Sequence, residues 1–162
     1  MNTKSRESLR GVDSTIDVDF HSQILNSREV PPGTQTDVGQ LTVTCLRNLF
    51  GSVYLGSSQS DGGGATRFNV GTWLTSGDIP GGAIVHLMPK WVCRSVAFDM
   101  DVNGTTSVSF FRGGQLLLER EYELPSNHVV PVQFSDNAGF THLIVASPGW
   151  STIDKMTFVS LA

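Results

Sequence analysis

Three tryptophans, four histidines, two cysteines and a scatter of carboxylates are the side chains with which this 162-residue chain could bind or react. The tryptophans are the best ligand candidates, because an indole is costly to leave in water and its face can stack on a sugar ring. Trp150 lies in Ser147-Pro-Gly-Trp-Ser151, a predicted turn, and Trp73 precedes the Leu74 to Gly82 loop, which carries Asp78 as a polar neighbour. Trp91 opens a strand and reads as structural. Burial as core or rim packing is the alternative for each, and Trp150 is the first to test.

The other reactive types form no recognised catalytic set. His21, His86, His128 and His142 show neither HExxH nor a closely spaced ligand pattern. His142, beside Leu143 and Ile144, reads as a hydrogen-bonded core or interface histidine. No Gly-x-Ser-x-Gly elbow occurs. Cys45 and Cys93 lack metal-motif spacing and sit mid-strand, where activation is not expected. They read as buried free thiols, with a disulfide as the alternative if the strands bring them together.

Glu119, Glu121 and Glu123 fall on one face of a period-two strand, the pattern of a solvated outer face rather than a glycosidase pair in a cleft. Asp99-Met-Asp101-Val-Asn103-Gly104 imitates the start of an EF-hand loop, but Phe110 stands where the bidentate glutamate belongs. Asp61-Gly-Gly-Gly64 lacks the Gly-Lys-Ser/Thr that a phosphate loop needs. The chain is read as a non-enzyme.

Composition narrows the class. Hydrophobic residues make up 39% and charged residues 16%, a balance that folds rather than one that stays disordered. The net charge of −4 and the dispersal of 11 Lys plus Arg lack the basic footprint of a nucleic-acid binder. No apolar run is long enough to span a membrane. The N-terminal MNTKSRESLRGVDS has no apolar leader core, so cytoplasmic residence or export by a non-Sec route is expected. Residues 1–13 read as a flexible tail and 14–162 as a single β-sandwich domain.

The elements that must position these side chains are short strands. Alternation marks Thr15 to Phe20, Gln40 to Leu46, Thr66 to Trp73, Ala83 to Met88 and Val92 to Val102. Further strands are expected at Ser52 to Leu55, Gln115 to Leu124, Val129 to Phe134, Phe140 to Ala146 and Ile153 to Leu161. Val30-Pro-Pro-Gly33 reads as a turn, Ser57 to Ala65 as a flexible loop, and Asn103-Gly104 as a hairpin turn. At Arg112-Gly113-Gly114 a three-residue loop is expected, with Gly114 at positive φ. That loop sets Phe110 opposite Leu116 and Val108 opposite Leu118; a two-residue loop would set Phe110 opposite Leu117 and Val108 opposite Glu119. About ten strands spaced by turns describe an all-β, two-sheet antiparallel sandwich or jelly roll.

In order along the chain, Thr15-Ile-Asp-Val-Asp-Phe20, Gly39-Gln-Leu-Thr-Val-Thr44, Arg94-Ser-Val-Ala-Phe-Asp99 and Phe140 to Leu161 form a pattern. It resembles the jelly-roll, galactose-binding-like β-sandwich modules of bacterial surface and extracellular proteins. That resemblance implies a non-catalytic, lectin-like module that binds carbohydrate or surface glycan. It also implies a structural calcium ion near the first and last strands, with Asp17, Asp19 and Asp154 as the matching carboxylates. The chain departs from such modules at His21, where they often carry Glu. The other reading of the three aspartates is an exposed strand face plus a turn cap. Ligand binding would use Trp150, Trp73 and Asp78. The alternative function is structural assembly as a homo-oligomer.

Overall fold

The computed structural model describes residues 13–20, 28–49, 53–56, 67–71, 82–148 and 150–161. Eleven strands lie among the described residues: β1 (Thr15–Asp19), β2 (Arg28–Val30), β3 (Gln35–Val38), β4 (Leu41–Asn48), β5 (Val53–Gly56), β6 (Arg67–Gly71), β7 (Ala83–Pro89), β8 (Cys93–Arg112), β9 (Gln115–Phe140), β10 (His142–Ser147) and β11 (Trp150–Ser160). All pairings are antiparallel. No described helix is long and apolar enough to cross a membrane.

The two longest strands explain the architecture. Residues 93–103 of β8 pair with β11, whereas residues 107–111 pair with β10. On its other side β8 pairs with β9 throughout, its first half against residues 128–140 and its second against residues 115–124. Yet Phe110 and Phe134, which belong to opposite halves of this hairpin, stack with ring centroids 4.2 Å apart. The long hairpin therefore folds over on itself and contributes one half to each of two facing sheets.

Sheet I runs β2-β5-β6-β11-β8-β9 through the first half of β8 and the second half of β9, with β1 flanking β11 beyond β6. Sheet II runs β3-β4-β7-β10-β8-β9 through the opposite halves. This is the all-β, two-sheet sandwich expected from the alternation. Its core is formed by inward residues of both layers, among them Val18, Met100, Val132, Met156 and Phe158 from sheet I and Val43, Val85, Val108, Phe110 and Val145 from sheet II.

Two turn expectations are corrected. Asn103-Gly104 is not a hairpin turn: β8 continues through it with a register shift between Val102 and Gly104, and Gly104 has φ +82°. The left-handed glycine bends the strand from one sheet into the other. At the β8–β9 turn, Arg112 pairs directly with Gln115, and it is Gly113 (φ +55°) rather than Gly114 that is left-handed. This φ pattern fits a two-residue type II′ turn, not the three-residue loop. A bulge between Phe110 and Phe111 leaves Leu117 as the extra residue and sets Phe110 opposite Leu118. Beyond the bulge Ser109 lies opposite Glu119 and Val108 opposite Arg120, so the expected pairing of Val108 with Leu118 does not form.

The expected strand from Phe140 to Ala146 is broken at Thr141, where the chain passes from Cys93 in sheet I to Phe111 in sheet II. Pro31-Pro32-Gly33 forms the expected turn, closed by Thr34 N–H donating to the Pro31 carbonyl at 3.0 Å. It is flanked by β2 and β3, two short strands that the sequence pattern does not announce.

Cys45 and Cys93 are free and buried, in different sheets. Burial raises both thiol pKa values, that of Cys93 to about 11. For Cys45, burial outweighs backbone hydrogen bonds at Val53 and Arg47, which act the other way. Neither thiol is expected to react with a thiol reagent near neutral pH until the chain unfolds; rapid labelling of the native protein would contradict this. A raised thiol pKa also means that stability is intact below the ordinary thiol pKa. It falls as pH climbs toward about 11, because the unfolded chain releases its proton first.

Candidate functional site

Side chains that alternate away from the core of sheet I line up across three neighbouring strands. Ala97 lies between Thr157 of β11 and Gln133 of β9, and Ser95 lies between Val159 and Ser135. Because Ser95 and Ala97 are small, the middle strand forms a low floor. The result is a trough of about 620 Å³ lined by these six residues and by Val96, Phe134, Leu118 and Arg120. Its volume lies within the range of about 300–1,000 Å³ of small-molecule sites.

Leu118 and Arg120 come from the first half of β9, in sheet II, and the fold-over of the hairpin brings them to the free edge of sheet I. Arg120 Nη1 donates to the Gln133 carbonyl at 2.8 Å, anchoring a guanidinium at one side of the trough. On the opposite side, Thr157 Oγ1 donates to Asp17 Oδ1 at 2.7 Å. The open lining thus offers serine and threonine hydroxyls, a carboxamide and the remaining guanidinium N–H groups. None of the ten lining residues is Asp, Glu, His or Cys.

Of the residues singled out from sequence, the structure describes only some. Trp73 and Asp78 lie outside the described residues. Trp150 opens β11, paired with Gly71 and Asn103, seven residues from Thr157 and so about 23 Å along the strand from the trough. Trp91 is exposed, at 49%.

The first and last strands are neighbours, with Asp17 opposite Thr157 and Asp19 opposite Lys155. Asp154 lies in the β11 irregularity between Ile153 and Met156. Thus Asp17, read from sequence as a metal candidate, borders the trough and holds Thr157. No group of three or more His, Cys, Asp or Glu side chains arranged to hold a metal occurs among the described residues. The Asp99–Asp101 segment is continuous strand rather than a calcium loop, and Glu119, Glu121 and Glu123 are exposed as their alternation implied.

Sequence reasoning missed the trough. Ser95 and Ala97 are visible as the small residues alternating with Val96 and Phe98, but their significance depends on which strands flank β8.

No family model and no curated protein sequence matches this chain. Among solved structures the chain is similar to a family 29 carbohydrate binding module, with a TM-score of 0.44 and 11% identity over 93% of this chain and 90% of that one. A variant of a family 29 module complexed with mannohexaose matches at a TM-score of 0.44 and 11% identity, over 93% and 94% of the two chains. The ligand-free structure titled BiXyn10A CBM1 matches at a TM-score of 0.44 and 12% identity, over 91% and 97%.

Proposed function

We propose that the protein is a non-catalytic carbohydrate-binding module and that the outer trough of sheet I receives the ligand. The observation that carries this reading is the lining: hydroxyl, carboxamide and guanidinium groups over a floor of small side chains. A sugar presents a dense array of hydroxyls, each both donor and acceptor. A rigid sheet face with several fixed polar groups matches such an array through direct and water-mediated hydrogen bonds.

Glycan-array screening followed by calorimetry tests the proposal. Ala97 is exposed in the trough floor, so Ala97→Arg should fill the site and abolish binding while leaving the melting temperature close to that of the wild type. Arg120→Ala should weaken binding about tenfold, the equivalent of about 1.4 kcal/mol. Trp150→Ala should leave affinity unchanged, because that residue opens the far end of β11. Absence of glycan binding, or binding indifferent to Ala97→Arg, would overturn the reading.

A further inference from the structure

The outer face of sheet II differs in kind from the trough. Its four central strands β4, β7, β10 and β8 turn outward a band containing His86, Met88, His142, Ile144 and Phe111, continued on β9 by Leu116. Met88 and Leu116 are 42% and 49% exposed, and the others are half-buried. Between them lie only uncharged polar groups, Thr42, Thr44 and Ser109.

The rings are ordered. His142 stacks on Phe111 at 5.0 Å and 4°, and His86 meets His142 edge-on at 4.5 Å. Thr141 Oγ1 lies 2.9 Å from His142 Nδ1 and accepts from Gly113 N–H at 2.9 Å, tying this imidazole to the β8–β9 turn. Burial holds both imidazoles below the ordinary histidine pKa, helped for His86 by His142, so the middle of the face is uncharged at neutral pH. An apolar, aromatic and methionine-bearing centre free of Lys, Asp and Glu is the composition of a protein–protein interface core.

Charge appears at the two flanks and differs between them. On β9, Glu119, Glu121 and Glu123 are exposed and carry no ion pair among the described residues. On the opposite flank stand Arg47 of β4 and Lys90 after β7, and Asp37, the one carboxylate there among the described residues, is engaged by Lys90 at 3.7 Å. Six strands in the order β3-β4-β7-β10-β8-β9 place three on each side of the line between β7 and β10. A two-fold axis along that line lays each acidic flank on the basic flank of a second copy and brings Glu121 toward Arg47. Apolar centre then meets apolar centre.

We infer that this face is a symmetric homodimer interface and that its occupant is a second copy of this chain. Six strands at about 4.8 Å spacing and six residues at about 3.3 Å give roughly 600 Å² of projected face. Two such faces bury roughly 1,200 Å², the lower end of the range for specific interfaces, so association is expected in the micromolar regime. An isologous contact of this kind closes at two subunits. It also leaves the sheet I troughs on the two outer sides of the pair, free to engage one polymer at two points. The dimer does not depend on the carbohydrate reading, since it uses the opposite sheet.

Sedimentation analysis of the full chain from low micromolar to near-millimolar concentration should show a monomer–dimer equilibrium. Met88→Lys should shift it to monomer without loss of melting temperature, because the side chain is already largely exposed. Arg47→Glu should weaken the dimer at least tenfold, and adding Glu121→Arg should restore it. A monomer at every concentration overturns the proposal, as does a dimer unaffected by Met88→Lys or by the charge swap.

Discussion

Phe110→Ala is expected to remove about 3–5 kcal/mol of stability, the usual range for truncating a buried phenylalanine without collapse of the site. Phe110 is fully buried, stacks on Phe134 at 4.2 Å and 12°, and meets Phe140 edge-on at 6.1 Å and 84°. Phe134 also packs edge-on against Phe140 at 5.4 Å, so the three rings form one closed cluster. The cluster joins the second half of β8 in sheet II to the second half of β9 in sheet I. It therefore pins the folded-over hairpin shut, and no flanking strand can move in to replace the lost ring.

With natural domains stable by only about 5–15 kcal/mol, a loss of that size removes a large part of the total. Urea denaturation should show a large fall in midpoint with little change in slope. Phe110→Leu is the control: it keeps most of the volume and forfeits chiefly the ring–ring term of about 0.5–1.5 kcal/mol. If the alanine and leucine variants lose the same small amount, the ring cluster does not join the sheets as described. Because Phe134 lines the trough, the alanine variant should also bind ligand more weakly at temperatures where it is still folded.

What was legible in the sequence follows from where the information lies. Val92, Val96, Phe98, Met100 and Val102 read as one apolar face of a single strand, and the structure buries the last four but leaves Val92 43% exposed, just before β8 begins. Glu119, Glu121 and Glu123 likewise read as one face, on the outside, where the structure places them. β2 and β3 were not legible, since three or four residues of mixed polarity carry too little periodicity to stand out beside Pro31-Pro32-Gly33. Asn103-Gly104 announces a left-handed backbone correctly but does not say whether it reverses the chain or bends a strand between sheets. The longer-range pairing of β10 and β11 against the two halves of β8 decides that. At Gly113-Gly114 the expected pairings of Phe110 with Leu116 and Val108 with Leu118 do not form, because a two-residue turn and a bulge between Phe110 and Phe111 set Phe110 opposite Leu118 and Val108 opposite Arg120. The trough is the extreme case. Ser95, Ser135 and Val159 come from three separate strands, and nothing local to any of them records that they share a row.

The bend at Gly139 carries the second large effect. Between the pairs Ser95–Ser135 and Cys93–Phe140, β9 carries four residues against one in β8, and Gly139 closes that irregularity at φ +83°. A Cβ at this position would lie 2.6 Å from Val92 Cγ1, 3.0 Å from Leu161 Cδ2 and 3.3 Å from the Cys93 carbonyl. Gly139→Ala thus combines a left-handed penalty of about 1–2 kcal/mol with an overpacking cost of about 1–3 kcal/mol. The Leu161 side chain can rotate away, but Val92 is branched at Cβ and stiff. The Cys93 carbonyl is backbone held within the pairing of β8.

Movement of Gly139 would be transmitted further. Its carbonyl accepts Arg112 Nε at 2.8 Å, and the same guanidinium donates to Asp136 Oδ1 at 2.6 Å, which also accepts Ala138 N–H at 2.8 Å. Arg112 closes the β8–β9 turn in sheet II, so this glycine links that turn to the edge of sheet I. Gly139→Ala is expected to lower stability by about 2–5 kcal/mol, or roughly 5–20 °C in melting temperature for a chain of this size. Adding Val92→Ala separates the two causes. Val92 is 43% exposed and should cost little on its own, yet in the Gly139→Ala background it should recover the steric share and leave the backbone share. A Gly139→Ala protein that melts within a degree or two of the wild type would mean that the bend relaxes freely, and that the coupling through Arg112 does not constrain it.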